Sequence, residues 1–277
     1  MACCFNIFRW KECYHLNVKD FTSSQWGIPR WAFILYRTVV FLYWLAVLVV
    51  SIVQFKDVRN YFIYFSHLGQ LLILMYFAAA FMCAVLSSPG DPDEQIKGKC
   101  QSEDTPKAKW YHWATLIFYT LSFGTTIIVS VGYPFLVATD PMEFASFQKH
   151  IVNILLMLLD MFLNRIPVNF WFIPFTFGWT VFYTVLTLCL HWTGVNSAVY
   201  AVADFVNSPT VSWLMAGGFV TICPLVMQLF MCLCYCMKMC LVKHCQAARR
   251  RDTERSDSFW KQDAKELVVL TKSLEPS

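Results

Sequence analysis

The sequence predicts an all-α membrane bundle of six transmembrane helices with both termini in the cytosol. Three observations carry that expectation. Hydrophobic residues make up 57% of the 277 residues and charged residues only 14%, whereas a soluble domain is nearer a quarter charged. Mean hydropathy is +0.49. The apolar residues gather into runs of about 20, the length that crosses a bilayer as a helix. Such a composition excludes a disordered chain, a nucleic-acid-binding module and most soluble enzymes. The short alternating segments of a membrane β-barrel are absent.

Taken in order, the first run is Trp31 to Phe55, interrupted only by Arg37. The second is Tyr61 to Leu86 and the third Trp110 to Leu136. The fourth starts near Phe147 and stops at Asn164, because Pro167 cannot continue a helix and restricts the residue before it. The fifth is Phe170 to Trp192. The sixth runs from about Val211 to Val242 and contains Gly217, Gly218 and Pro224, which suit close packing and a kink. Each run is expected to be helical, since every backbone group in lipid must be paired internally. Residues 1–30 then form a cytosolic segment, 31–242 the membrane domain and 243–277 a basic, largely disordered cytosolic tail. The first 30 residues carry Arg9, Lys11, Glu12, Lys19, Asp20 and Arg30 and no apolar core, so no cleavable signal is expected.

Lys and Arg set the orientation. With the N-terminus inside, the cytosolic segments hold Arg9, Lys11, Lys19 and Arg30, then Lys97, Lys99, Lys107 and Lys109, then Arg165 and the basic C-terminal end. The other side holds Lys56, Arg59 and Lys149. The outer loops, 56–60, 137–149 and 193–209, contain none of the 12 cysteines, so no disulfide framework is expected. The bilayer itself is the expected partner. Nothing in the sequence calls for a cofactor or a metal.

Polar groups inside spans are costly and usually face the bundle. Arg37 lies about two turns above the inner end of the first span and Asp160 just over one turn from the inner end of the fourth. Both fall in the inner half of the bilayer and are expected to form an ion pair. Such a pair either fixes helix packing or marks a proton or substrate path, as in a transporter. His67 and Ser66 lie near the outer end of the second span, and His150 opens the fourth at the same side. Ser66 and His150 are therefore expected at similar depth. A hydroxyl beside an imidazole is the minimum for a nucleophile and its base. The alternative is that Ser66 bonds a helix carbonyl and the histidines are interfacial.

The last span ends in Cys232, Cys234, Cys236 and Cys240, with Cys245 beyond. Cys3, Cys4, Cys234, Cys236, Cys240 and Cys245 are candidates for S-palmitoylation. Arg249-Arg250-Arg251 follows and would be drawn to an anionic leaflet.

Several short blocks resemble one family. Phe21, Ser24-Gln25-Trp26 and Tyr36-Arg37 resemble the N-terminal signature of the rolling stone family. Tyr64-Phe65-Ser66-His67-Leu68-Gly69 resembles its Tyr-Leu-Thr-His-Trp-Gly stretch. His150, Leu158-Leu159-Asp160 and Arg165-Ile166-Pro167-Val168 resemble its fourth-span block, and Tyr200, Asp204 and Pro209 the block before the last span. The blocks occur in order over residues 21 to 242. The resemblance implies a multi-pass protein, expected at the cell surface, acting in membrane or cell–cell events such as myoblast fusion. That family is distantly similar to the androgen-induced membrane hydrolases, which cleave fatty acid esters of hydroxy fatty acids with an intramembrane Thr and a His. This second likeness implies Ser66 as nucleophile, His150 as base and a lipid ester as substrate. His67 or the Gln70 amide would then stabilise the oxyanion.

Overall fold

The computed structural model describes residues 18–55, 58–86, 109–136, 147–194, 200 and 204–273. The elements formed by these residues are all helical. They are α1 (Val18–Thr22), α2 (Arg30–Gln54), α3 (Phe65–Leu86), α4 (Trp110–Leu136), α5 (Asn153–Leu163), α6 (Ile173–Trp192) and α7 (Pro209–Ser273). A 3₁₀ turn, Val58–Ile63, precedes α3, and a π turn, Gln148–Val152, precedes α5.

Five segments are long and apolar enough to cross a membrane: Arg30–Gln54, Phe65–Leu86, Trp110–Gly132, Phe170–Trp192 and Pro209–Ala248. They match five of the six expected runs. The remaining run is the shorter apolar helix His150–Leu163, whose 14 residues rise only about 21 Å against a hydrocarbon core of about 30 Å.

The chain divides into two compact units, Met1–Tyr235 and Cys236–Ser277. The second unit is helical to Ser273, where the sequence led us to expect a largely disordered tail.

In the first unit, burial follows the helical period. Phe33, Arg37, Val40, Trp44, Leu48 and Ser51 form one buried stripe along α2. Leu35, Val39, Leu42, Val49 and Val53 are exposed on the other faces, the surface that lipid would cover. α3 and α4 form the central pair, and glycine lets them meet. A Cβ at Gly69 would sit 2.7 Å from Thr125 Cγ2, on a short β-branched side chain with little freedom to move. Gly69→Ala is therefore expected to destabilise the bundle by about 1–3 kcal/mol through overpacking. Thermal unfolding of the purified protein in detergent checks this, and an unchanged midpoint would show that the α3–α4 contact yields.

The C-terminal end of short α5 is not left bare. The chain before α2 folds against it. Trp26 Nε1 donates to the carbonyl of Phe162 at 2.7 Å. Ser24 Oγ donates to Leu163 at 2.8 Å, and the Gln25 amide donates to the same carbonyl at 3.0 Å. The last carbonyls of a helix lack partners within it, and here a distant segment supplies them. Gly27 follows with φ +71°, a left-handed turn that glycine adopts without cost and that redirects the chain into α2. At the other end of α5, Ser130 Oγ donates to the His150 carbonyl, and Tyr43 bonds Gln148. The helix is thus tied to α4 and α2.

Candidate functional site

Two polar clusters lie within the first unit. One, on the side that the sequence predicts to be cytosolic and called inner for that reason, is built around Arg37 and Asp160, both fully buried. Arg37 Nη1 donates to the Phe21 carbonyl at 2.8 Å and the Ala80 carbonyl at 2.7 Å. Its guanidinium lies 4.4 Å from the Phe33 ring centroid, a cation–π distance. Asp160 accepts the Tyr76 hydroxyl and, at 2.9 Å, Asn164 Nδ2. Asn164 Oδ1 accepts the Ile166 amide at 3.1 Å, which fixes the turn before Pro167. Tyr119 packs on Tyr76 with ring centroids 5.2 Å apart.

The expected pairing of Arg37 with Asp160 is not a direct one. Arg37 gives Nη1 to backbone carbonyls, and its Nε and Nη2 form no hydrogen bond with Asp160, whose Oδ1 has no hydrogen-bond partner. Tyr76 lies within electrostatic reach of both charges. The ion pair that does form among the described residues is Arg165 with Asp20 at 3.7 Å, partly exposed. A pair of that kind contributes about 0–1 kcal/mol.

The outer cluster surrounds the start of α3. Its depth relative to α5 follows from the Tyr76–Asp160 contact. Ser66 is ten residues before Tyr76, and His150 is ten before Asp160. Ten residues of helix rise about 15 Å, and chain direction from Tyr76 to Ala80 and from Asp160 to Leu163 is toward the same inner end. By this count Ser66 and His150 stand at a similar level along their helices, although the π turn Gln148–Val152 makes the second count approximate. They are not hydrogen bonded to each other. Ser66 is half-buried and His150 buried. Other hydroxyls in the spans bond the carbonyl three or four residues back, among them Thr115, Thr120, Thr126, Thr176 and Thr184. Ser66, in the first turn of α3, has no such carbonyl in its own helix.

His67 is placed differently from the expected oxyanion donor. Its ring stacks on Tyr61 at 4.0 Å, with Phe55 and Tyr64 edge-on, and Nδ1 meets the Tyr61 carbonyl at 2.7 Å. This cage forms because the 3₁₀ turn folds Tyr61 back over α3. The Gln70 amide lies one turn inside α3, where the helix ladder takes it. Gln70 Oε1 accepts the Tyr61 hydroxyl at 3.0 Å.

Sequence reasoning missed the role of Tyr200, whose hydroxyl oxygen accepts the Phe65 amide at 3.2 Å. It thereby caps the start of α3, and burial raises its phenol above the ordinary range. No spacing rule marks a tyrosine so far along the chain as a cap. Just beyond it, Asp204 accepts the amides of Val206 and Asn207 at 3.1 and 3.0 Å. The Asn207 hydrogen bonds hold its carboxylate below the usual range.

Of the palmitoylation candidates, Cys240 and Cys245 are exposed, Cys236 is half-buried and Cys234 is buried. Cys3 and Cys4 lie outside the described residues. Comparison of the chain with protein-family models, curated proteins and solved structures returns no match. Five apolar helices of spanning length make it compatible with an integral, multi-pass membrane protein.

Proposed function

We propose that this chain is a six-span, rolling-stone-type protein of the cell surface, with both termini cytosolic, acting in membrane or cell–cell events such as myoblast fusion. One observation carries the reading. Segments that bear the resemblance, some far apart in the chain, meet in space. Ser24-Gln25-Trp26 bonds Phe162 and Leu163, which lie between Asp160 and Arg165 of the fourth-span block, and within the first block Arg37 bonds Phe21. The block around Ser66 is capped by Tyr200. A shared set of contacts is a physical reason for such residues to occur together. In fusing myoblasts that express the chain, its loss is expected to lower the fusion index severalfold, and Ser66→Ala to restore it fully. Unchanged fusion after loss of the chain would overturn this reading.

A second reading, a lipid-ester hydrolase with Ser66 as nucleophile and His150 as base, is favoured by a specific observation. Ser66 lies in the first turn of α3, with no carbonyl three or four residues back in its own helix, and residue counting sets it near the level of His150. Labelling of the detergent-solubilised protein by a fluorophosphonate probe, lost in Ser66→Ala and in His150→Ala while both variants stay folded, would make the enzyme reading primary. No labelling of the folded wild-type protein would remove it.

A further inference from the structure

We propose that the inner cluster holds bound water that bridges Arg37 and Asp160, an internal hydration site within the bundle. The unmet hydrogen-bonding atoms converge. Arg37 is fully buried, and with Nη1 spent on two carbonyls its Nε and Nη2 remain without hydrogen-bond partners. These two groups form one edge of the guanidinium, a fork that suits paired oxygen acceptors. Asp160 is equally buried, and its Oδ1 is likewise unmet. The Tyr36 and Tyr119 hydroxyls are buried and likewise lack a hydrogen-bond partner, and Tyr119 packs on Tyr76, which bonds Asp160.

The set contains donors and acceptors in one place, with opposite charges that balance. An anion would meet Asp160, and a cation would meet Arg37. A neutral molecule that both donates and accepts satisfies all of them, and water is the smallest. Buried waters typically make about three hydrogen bonds to polar groups that protein atoms leave unmet. Each unmet group in a dry interior costs about 1–3 kcal/mol, and more when charged. Water between the two charges thus explains why they share a depth without touching.

Radiolytic hydroxyl-radical footprinting of the full-length protein in nanodiscs tests this, because radicals made from a bound water attack the side chains beside it. Tyr76, Tyr119 and Tyr61 are all fully buried. Tyr61, whose hydroxyl is satisfied by Gln70, is the dry control. Tyr76 and Tyr119 are expected to be oxidised several times faster than Tyr61. Equal rates at all three, slow or fast, would overturn the proposal.

Discussion

Arg37→Met is expected to cost the protein about 3–5 kcal/mol, because it leaves a buried carboxylate without its compensating charge. Asp160 is fully buried, and the substitution also strips the carbonyls of Phe21 and Ala80 of the donor they share. Against a typical total stability of about 5–15 kcal/mol, such a loss is a large fraction. Asp160→Asn is expected to be milder. An amide retains an oxygen for the Tyr76 hydroxyl and removes the negative charge, though Arg37 then stands alone. The double variant Arg37→Met with Asp160→Asn should lose less than the sum of the single changes, since the charges act on each other across the cluster. Thermal unfolding of the purified variants, followed by intrinsic fluorescence, measures all three. Strict additivity would show that the two charges do not interact, and a negligible loss in Arg37→Met would show that the guanidinium is dispensable.

The second large effect is expected at the inner end of α5. Phe162 O is met by Trp26 Nε1, whereas Leu163 O has two donors, Ser24 Oγ and the Gln25 amide. Ser24→Ala therefore removes one of two bonds and should cost about 1 kcal/mol. Trp26→Phe removes the single indole donor from an exposed bond and should cost about 0.5–1.5 kcal/mol. Together they should loosen the end of a helix already too short to cross the hydrocarbon unaided. Cysteine accessibility at Asn164→Cys, which is fully buried in the wild type, reads this locally. Greater labelling in the Ser24→Ala, Trp26→Phe background is the expected result. Unchanged labelling would show that α5 is held by its other contacts alone.

These two regions also show what the sequence makes legible. Hydropathy and run length are enough to locate α2, α3, α4, α6 and the start of α7, because lipid permits few other structures. The stop of α5 at Leu163 follows from Pro167, as expected. Counting residues along helices leads one to expect Ser66 near the level of His150 and Arg37 near that of Asp160.

Lateral contact is not legible in this way. Asp160 bonds Tyr76 and Asn164 rather than Arg37, and nothing in the pattern of apolar residues singles out those two partners. Ser24-Gln25-Trp26 reads as a polar stretch before a span. Its role as a cap appears only when α5 is folded back to meet it. The resemblance offers His67, beside Ser66 in sequence, as an oxyanion donor. Adjacent helical residues point about 100° apart, and the aromatic cage around His67 comes from a turn outside the helix.

The central claim is six crossings with both termini on the cytosolic side, and it turns on whether the segment from Phe147 to Leu163 crosses. Glycosylation-acceptor tags at the N-terminus, at the C-terminus and in the loop between residues 193 and 209 test this in one set of cells. The account predicts modification of the loop tag alone, with both terminal tags unmodified. A modified tag at one terminus with the other unmodified would mean an odd number of crossings, and would contradict the account.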